Sequence, residues 1–245
     1  MKNILRSILC GFLVFMASGT LHAQLSITGE LMPRTEYRHG YQAPLDSLVQ
    51  GTFTTGQRSR LSFGYKDDKL KVGVSLQDVR IWGGTSQLNA TDGLTSFHEA
   101  WAQYFFTPKF SLKAGRQEVI YDDERIFGSV NWTLQGRSHD LFLACFEDTA
   151  KKFKAQLGFA YNQNSQTNIP APYTVTNYKE IHYLWLNKKF GDLSASLLVL
   201  NTGVEIPLKV NSTYLMNTLG THLEYKKNAI FVSGRFYYQM GDTMV

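Results

Sequence analysis

The chain has 245 residues, of which 43% are hydrophobic and 18% charged, with 25 basic against 20 acidic side chains and a formal charge of +5. This composition excludes a disordered or collagen-like chain, and two cysteines with six scattered histidines exclude a disulfide scaffold or a zinc ribbon. The mean hydropathy of −0.22 argues against a polytopic helical membrane protein. It leaves a membrane β-barrel open, because the strands of a barrel alternate apolar with polar residues.

The first residues have the parts of a secretory signal peptide. Lys2 and Arg6 supply positive charge, an apolar run follows, and small residues lead up to Ala23. The run is only about half of the roughly 20 apolar residues that a membrane anchor needs. We therefore expect cleavage after Ala23. Removal of residues 1–23 leaves 23 basic against 20 acidic side chains, a charge of +3, and Cys145 without a second cysteine to form a disulfide.

From residue 24 onward the sequence alternates with period 2 over about ten residues, turns, and alternates again, as antiparallel strands do. In the first such stretch Leu25 and Ile27 fall on one face and Glu30 on the other. The sequence has no run of 18 apolar residues. The pattern predicts one β-domain over 24–245 with about eleven strands, at 24–38, 57–66, 70–82, 95–107, 110–121, 138–147, 152–161, 179–190, 193–202, 218–226 and 229–240.

The predicted connections alternate between short and long. The short ones are 67–69, 107–109, 148–151, 189–192 and 226–228, and the long ones are 40–55, 83–94, 122–137, 162–178 and 203–212. Tight turns on one side and long loops on the other are typical of an up-and-down meander across a membrane. A soluble β-sandwich, which mixes loop lengths at both ends, is the alternative. We expect an all-β, antiparallel, up-and-down transmembrane β-barrel in the bacterial outer membrane, with short periplasmic turns and long extracellular loops.

Aromatic side chains gather where the predicted strands should meet the lipid headgroups. Residues 104–106 (Tyr-Phe-Phe) and Phe110 surround one short turn, Tyr225 lies at another, and Tyr237 and Tyr238 lie near the chain end. Aromatic residues at these depths form the girdles of membrane barrels. The alternative is that they are core residues of a soluble sandwich.

Lysines and arginines occupy different places. Lysines cluster at the short turns, where solvation explains them, whereas arginines lie within strands or beside long loops. An arginine on the lipid face costs about 2–4 kcal/mol at mid-depth, so we expect the strand arginines to face a polar lumen. Among these candidates are Arg58 and Arg60, and the acidic residues that partly offset the positive charge are Glu30, Glu36, Asp78, Glu99, Glu118 and Asp140. The alternative is that these charges pair across strands and brace the wall.

Several short motifs follow one another between residues 75 and 142. They read QDVRIWG at 77–83, HEAW at 98–101, GRQE at 115–118, DERIFGSVNW at 123–132 and GRSHD at 136–140. In this order they resemble the signature region and strand ends of the alginate-export family of outer-membrane proteins. The resemblance implies a porin-like barrel with more strands than this chain supplies, whose arginine-lined constriction passes an anionic polysaccharide.

The same resemblance implies which residues line the pore. By position they are the basic residues Arg80, Arg116, Arg125 and Arg137 and the acidic partners Asp78, Glu99, Glu118 and Asp140. Alternation places Asp78 and Arg80 on the face of Val72 and Val74, so either a β-bulge shifts the phase or these charges lie on the outer rim, above the bilayer. We expect a bulge.

The predicted number of strands and the end of the sequence bear on whether the chain closes a barrel. Single-chain bacterial barrels have an even number of strands, whereas about eleven are predicted here. The sequence also stops just after a predicted strand and lacks a terminal aromatic residue. We therefore expect it to be the N-terminal part of a longer barrel.

The sequence favours a channel over an enzyme. His98-Glu99-Ala100-Trp101-Ala102 starts like a zinc-protease motif but lacks the second histidine, and neighbours in Ser138-His139-Asp140 point to opposite faces of a strand. We expect no enzymatic activity, no cofactor, no metal and no nucleic-acid partner. The expected partners are outer-membrane lipid and an anionic polysaccharide or other anionic solute. A barrel enzyme, or a barrel that binds ligands without transport, is the alternative.

Overall fold

The structure is a computed structural model that describes residues 24–40, 46, 48–88, 91–174, 178–206, 209–210 and 212–241. The predicted signal peptide, 1–23, lies outside the described residues. The strands are β1 Gln24–Arg38, β2 Thr52–Lys66, β3 Leu70–Ile81, β4 Thr95–Phe105, β5 Phe110–Gln117, β6 His139–Asp148, β7 Phe153–Tyr161, β8 Glu180–Phe190, β9 Leu193–Glu205, β10 Thr213–Lys227 and β11 Ile230–Gly241. None of the described residues forms a helix that is long and apolar enough to cross a membrane.

All eleven strands belong to one antiparallel sheet, and each strand pairs with the next strand along the chain. The prediction of an all-β, up-and-down meander is therefore confirmed. Short turns close one end of the hairpins; at the first of them the Asp67 carboxylate accepts hydrogen bonds from the N–H groups of Lys69 (2.8 Å) and Leu70 (2.7 Å). We call this the short-turn end of the sheet and the opposite one the long-loop end.

One predicted strand is longer than the strand in the structure. Alternation predicts a strand over 110–121, but β5 ends at Gln117. Residues 118–138 leave the sheet there and fold back across one of its faces, and we call them the inner segment. Backbone hydrogen bonds keep this segment compact, for example from Glu124 N to Tyr121 O (2.9 Å) and from Arg137 N to Ser129 O (2.6 Å).

The inner segment contacts strands from both edges of the sheet. Arg34 of β1 donates to the carbonyl of Trp132 (2.9 Å), and Arg235 of β11 pairs with Asp123. Ten strand spacings of about 4.8 Å would make a flat sheet about 48 Å wide. Contacts of one compact segment with β1 and β11 from the same side therefore require that the sheet curl around the segment. We call the covered face the inner face and the opposite one the outer face.

Apolar packing under the inner segment provides the hydrophobic core. Val119, Tyr121 and Phe127 of the segment are buried. They pack against inner-face side chains of β6, β8 and β9, namely Leu141, Leu143, Ile181, Tyr183, Trp185, Leu198 and Leu200. Tyr121 stacks on Trp185 with ring centroids 4.5 Å apart, and its hydroxyl lies 3.1 Å from that of Tyr183. The core thus lies inside the curled sheet and is limited to the area that the segment covers.

The outer face carries large apolar side chains that nothing in the described residues covers. Leu25 and Leu31 of β1 are 69% and 67% exposed. The same face of the other strands continues this surface with Leu61, Phe63, Phe97, Leu112, Phe142, Leu157, Phe159, Val199, Leu219, Leu223 and Phe236, all of them exposed. A soluble protein buries such residues, so this sheet has its apolar side outward and most of its polar side inward.

Candidate functional site

Two arginines of β2 fasten the inner segment to the wall of the sheet. The Arg58 guanidinium is buried, with 3% of its side chain exposed, and pairs with Glu30 of β1. It also donates to the backbone carbonyls of Thr133 (3.1 Å) and Asn131 (3.4 Å). Arg60 donates to the Asn131 side chain (3.2 Å). Both predicted pore arginines therefore lie on the inner face, as expected, but their hydrogen-bonding groups hold the protein's own backbone and side chains.

A β-bulge in β4 brings a second polar group to the segment. The register between β3 and β4 shifts where Ser75 pairs with Glu99 and Leu76 with Phe97, so His98 is the additional residue. Buried His98 is hydrogen-bonded through Nε2 to Oε1 of Glu118 (2.7 Å), and Asn131 donates to the same oxygen (3.0 Å). The expected bulge thus exists, and it turns a histidine inward.

The environment of Glu118 favours its charged form. Burial raises the pKa of the Glu118 carboxyl, but the hydrogen bonds from His98 and Asn131 and the positive charge of Arg60 lower the pKa by more. Arg60 Nη1 lies 3.8 Å from Glu118 Oε1. The carboxylate is therefore the charged centre that ties the start of the inner segment to β2 and β4.

The bulge leaves Asp78 and Arg80 on the outer face. It lies in β4 and not in β3, so the phase of β3 is unchanged; Asp78 and Arg80 share the face of Val74 and Leu76. Arg80 donates a hydrogen bond to Asp78 (2.6 Å) and forms an ion pair with Asp92 (3.2 Å) at the long-loop end. The expectation that the bulge would bring these two residues into the lumen is wrong, and the alternative of a position on the outer rim fits their placement.

Arg116 and Asp140 also belong to the outer face. Arg116 is paired in register with Ala100 on one side and with Asp140 on the other, and the two charged groups are 2.8 Å apart. Both side chains are largely exposed. The expectation that Arg116 faces the lumen is therefore wrong, and the alternative of a position on the outer rim fits, because β5 has no bulge and Arg116 keeps the face of Leu112.

The remaining predicted site residues lie in or beside the inner segment. Arg125 and Arg137 of the segment are exposed, and Arg137 lines an open cavity of about 470 Å³ together with Arg116 and His98. Glu99 lies on the inner face, where its carboxylate accepts hydrogen bonds from Trp101 Nε1 (3.1 Å) and from the Glu118 N–H (3.1 Å). The ten predicted site residues therefore divide between the two faces and do not form a single cluster.

Every strand arginine in the described part of the chain has a carboxylate partner. The pairs are Arg34 and Arg38 with Glu36, Arg58 with Glu30, Arg60 with Glu30 and Glu118, Arg80 with Asp78 and Asp92, Arg116 with Asp140, and Arg235 with Asp123. Pairing cancels most of the field of each guanidinium and occupies its directional donors. These contacts match the alternative in which strand arginines brace the wall.

Sequence reasoning missed a set of lysines on the inner face. Lys66, Lys71 and Lys113 lie near the short turns, where contact with solvent would be enough to explain a lysine. Strand register places all three on the inner face, where they belong to one row across β2 to β5. For Lys66 the signal available in the sequence was its even spacing from Arg60 in the same predicted strand. For Lys71 and Lys113 it was their alternation with the apolar residues Val72 and Leu112.

The motifs considered for catalysis do not assemble. His139 bonds through Nδ1 to the Tyr178 hydroxyl (2.8 Å) on the inner face, whereas Asp140 points to the outer face and pairs with Arg116. Among the residues that the structure describes, no group of three or more His, Cys, Asp or Glu side chains is placed to hold a metal ion.

The resemblance to the alginate-export family rests on the short motifs between residues 77 and 140. No family model matches the chain, and no curated protein matches it. That resemblance stays a prediction.

Proposed function

We propose that the curled sheet is the wall of an outer-membrane β-barrel and that the protein is a porin-like channel for an anionic oligo- or polysaccharide, alginate-like in its charge. The observation that carries the proposal is the reversed polarity of the sheet. Exposed apolar side chains cover the outer face, while hydroxyl, amide and charged side chains dominate the inner face outside the small core. Lipid outside and water inside would satisfy both faces.

The dimensions of the outer face suit a bilayer. On β10 the outward side chains run from Leu215 to Tyr225. These two residues are ten residue steps apart, or about 34 Å along the strand at about 3.4 Å per residue. At a strand tilt of about 40° this length spans about 26 Å, close to the apolar band of membrane barrels. Tyr104, Phe106 and Phe110 form an aromatic cluster at the short-turn end, with ring centroids 5.0 and 5.8 Å apart. Rings at this height match an interfacial girdle.

The inner segment gives such a channel its narrow point. It lies across the inner face, held by Arg58, Arg60, His98 and Arg235, and fills space that would otherwise be open between the strands. The exposed Arg125 of this segment and the lysine row near the short turns supply positive charge that no carboxylate in the described residues neutralises by direct pairing. This charge supports anions as the transported class.

Planar-bilayer recording of the purified full chain tests the proposal. We expect stepwise currents whose reversal potential in a potassium chloride gradient indicates anion preference, and we expect soluble alginate oligomers to reduce the current. Neutral maltooligosaccharides of equal length are the control, and they should reduce it less. Absence of any current, with the protein inserted in the bilayer, would refute transport; hydrolysis of the oligomers by the same preparation would favour the barrel enzyme.

A further inference from the structure

The inner face contains a row of cations close to its short-turn end. The strand register aligns Gln24, Lys66, Lys71, Gln103 and Lys113 side by side across β1 to β5. Lys66 and Lys71 are direct cross-strand partners, and Lys71 and Lys113 are two strands, or about 10 Å, apart. Three ammonium groups therefore point into the same part of the concave surface.

No carboxylate in the described residues pairs directly with this row, although Glu99 acts on Lys113 through its charge and lines the groove beside Lys66 and Lys71. None of Lys66, Lys71 and Lys113 has an ion-pair partner within 4.0 Å in the described part of the chain, whereas every described strand arginine has one. Like charges directly opposite each other destabilise a sheet. Residues that destabilise the fold in this way, with no compensating contact, are typical of functional positions. The row is thus costly for the fold and is available to an external anion.

The surroundings of the row leave room for a solute. The next row toward the long-loop end has Ser26, Gly64, Gly73 and Trp101, so small residues floor a groove of about 360 Å³ beside Lys66 and Lys71. Trp101 lies flat across Gly73, where a Cβ atom would be 2.5 Å from the indole. A second cavity of about 520 Å³ continues past Lys71 toward Lys154.

Aromatic rings hold two of the lysines without neutralising them. Lys113 Nζ lies 3.9 Å from the centroid of the Trp101 ring, and Lys71 Nζ lies 4.7 Å from that of Phe105. A cation–π contact orients an ammonium group but leaves its full charge. The lysines are therefore positioned before any anion arrives.

We propose that Lys66, Lys71 and Lys113 form an oxyanion-binding row, and that this row, in place of the strand arginines, selects anionic groups of the solute at the short-turn end of the channel. The assignment rests on the proposed channel function for its role in transport. The binding of anions to the row stands on the geometry alone.

Quenching of Trp101 fluorescence by iodide tests the row without requiring transport. The emission of Trp101 is taken as the difference between the protein and its Trp101→Phe variant, and iodide is compared with neutral acrylamide. In the Lys66→Gln/Lys71→Gln/Lys113→Gln variant we expect the iodide quenching constant to fall at least threefold, with acrylamide quenching unchanged. Lys69→Gln/Lys151→Gln/Lys188→Gln removes the same charge from turns and the outer face, and it should leave iodide quenching as it is.

Equal iodide quenching in the protein and in the row variant would overturn the inference. Should the triple variant fail to fold, Lys71→Gln alone is expected to lower the constant measurably, and an unchanged value there would have the same meaning. The reversal potential of the channel should also move toward zero in the row variant. Absence of current in the unmodified protein would refute the proposed channel. If the row variant carries normal current and its reversal potential does not move, only the assignment of selectivity to the row is refuted.

Discussion

At the scale of single residues, the partners of a strand arginine decide whether its guanidinium group can bind an external anion. Alternation correctly placed Arg58 and Arg60 on the inner face, because the face of a residue follows from its position in the strand. It could not show that Glu30 and the Thr133 carbonyl occupy Arg58, since these partners come from another strand and from a loop 75 residues away along the chain. The face on which Arg58 lies could therefore be predicted from the sequence, whereas its ion-pair and hydrogen-bond partners could not.

The same limit explains the errors at Arg80 and Arg116. An arginine in a membrane strand must avoid the lipid face only where its position lies at bilayer depth. Both residues lie near the long-loop ends of their strands, where an outward arginine can pair with Asp78 or Asp140. Position along the strand, which alternation does not report, distinguishes these two residues from Arg58 and Arg60 in the middle of β2.

The Glu118 carboxylate makes the attachment of the inner segment sensitive to acid. Its pKa is lowered in the folded state, so it contributes stability above its unfolded pKa of about 4.3 and loses that contribution as the pH falls through the lower, folded pKa. We expect Glu118→Gln to reduce the protection of the Arg137 amide, measured by hydrogen exchange at pH 7, by about 1–3 kcal/mol.

The matched control is Asp140→Asn, which removes a largely exposed carboxylate paired with Arg116 on the outer face. An exposed pair contributes about 0–1 kcal/mol, so segment protection should change little. Protection in the unmodified protein should fall in acid, and that fall should be weaker in Glu118→Gln. Identical protection of the two variants at pH 7 would contradict the role of Glu118.

At the scale of elements, the inner segment is the feature that the sequence pattern concealed. Alternation continues through Val119 and Tyr121 beyond the end of β5, because these residues also bury every second side chain. They bury them against Leu143 and Tyr183 instead of extending the ladder. Positive φ at Gly115 (+117°) and the bulge at His98 mark the departure from the sheet, and neither can be deduced from hydrophobic periodicity.

Arg58 is expected to be the strongest single link between the wall and this segment. Arg58→Ala removes the nearer of the two arginines that pair with Glu30 and the donor to the Thr133 carbonyl. Glu30 is 42% exposed and keeps Arg60, so the expected loss is that of a carbonyl left without its donor, about 1–3 kcal/mol, which urea unfolding of the detergent-solubilised protein would measure.

Arg34→Ala is the matched control for Arg58→Ala. Arg34 also donates to the segment, at the Trp132 carbonyl, but 37% of its side chain is exposed, so about 1 kcal/mol or less is expected. Equal losses of stability in the two variants would show that burial of Arg58 does not determine how the segment is held.

At the scale of the whole molecule, the order and number of strands were predictable and the curling of the sheet was not. Period-2 alternation and turn residues predicted eleven strands, most of them to within a few residues, because each strand buries only one face. Curling is shown by contacts of the inner segment with Arg34 and Arg235, which are 201 positions apart in the sequence. No local pattern reports contacts over that separation.

The proposed channel requires that the outer face meet lipid and the inner face meet water. Spin labels at neighbouring positions test it most directly, in a Cys145→Ser background and with the protein reconstituted in lipid vesicles. Labels introduced by Ile27→Cys, Phe63→Cys and Leu157→Cys should be accessible to oxygen and protected from a water-soluble nickel complex. Labels introduced by Thr28→Cys, Ser62→Cys and Lys154→Cys should show the reverse, and a hydrocarbon environment at these three positions would contradict the account.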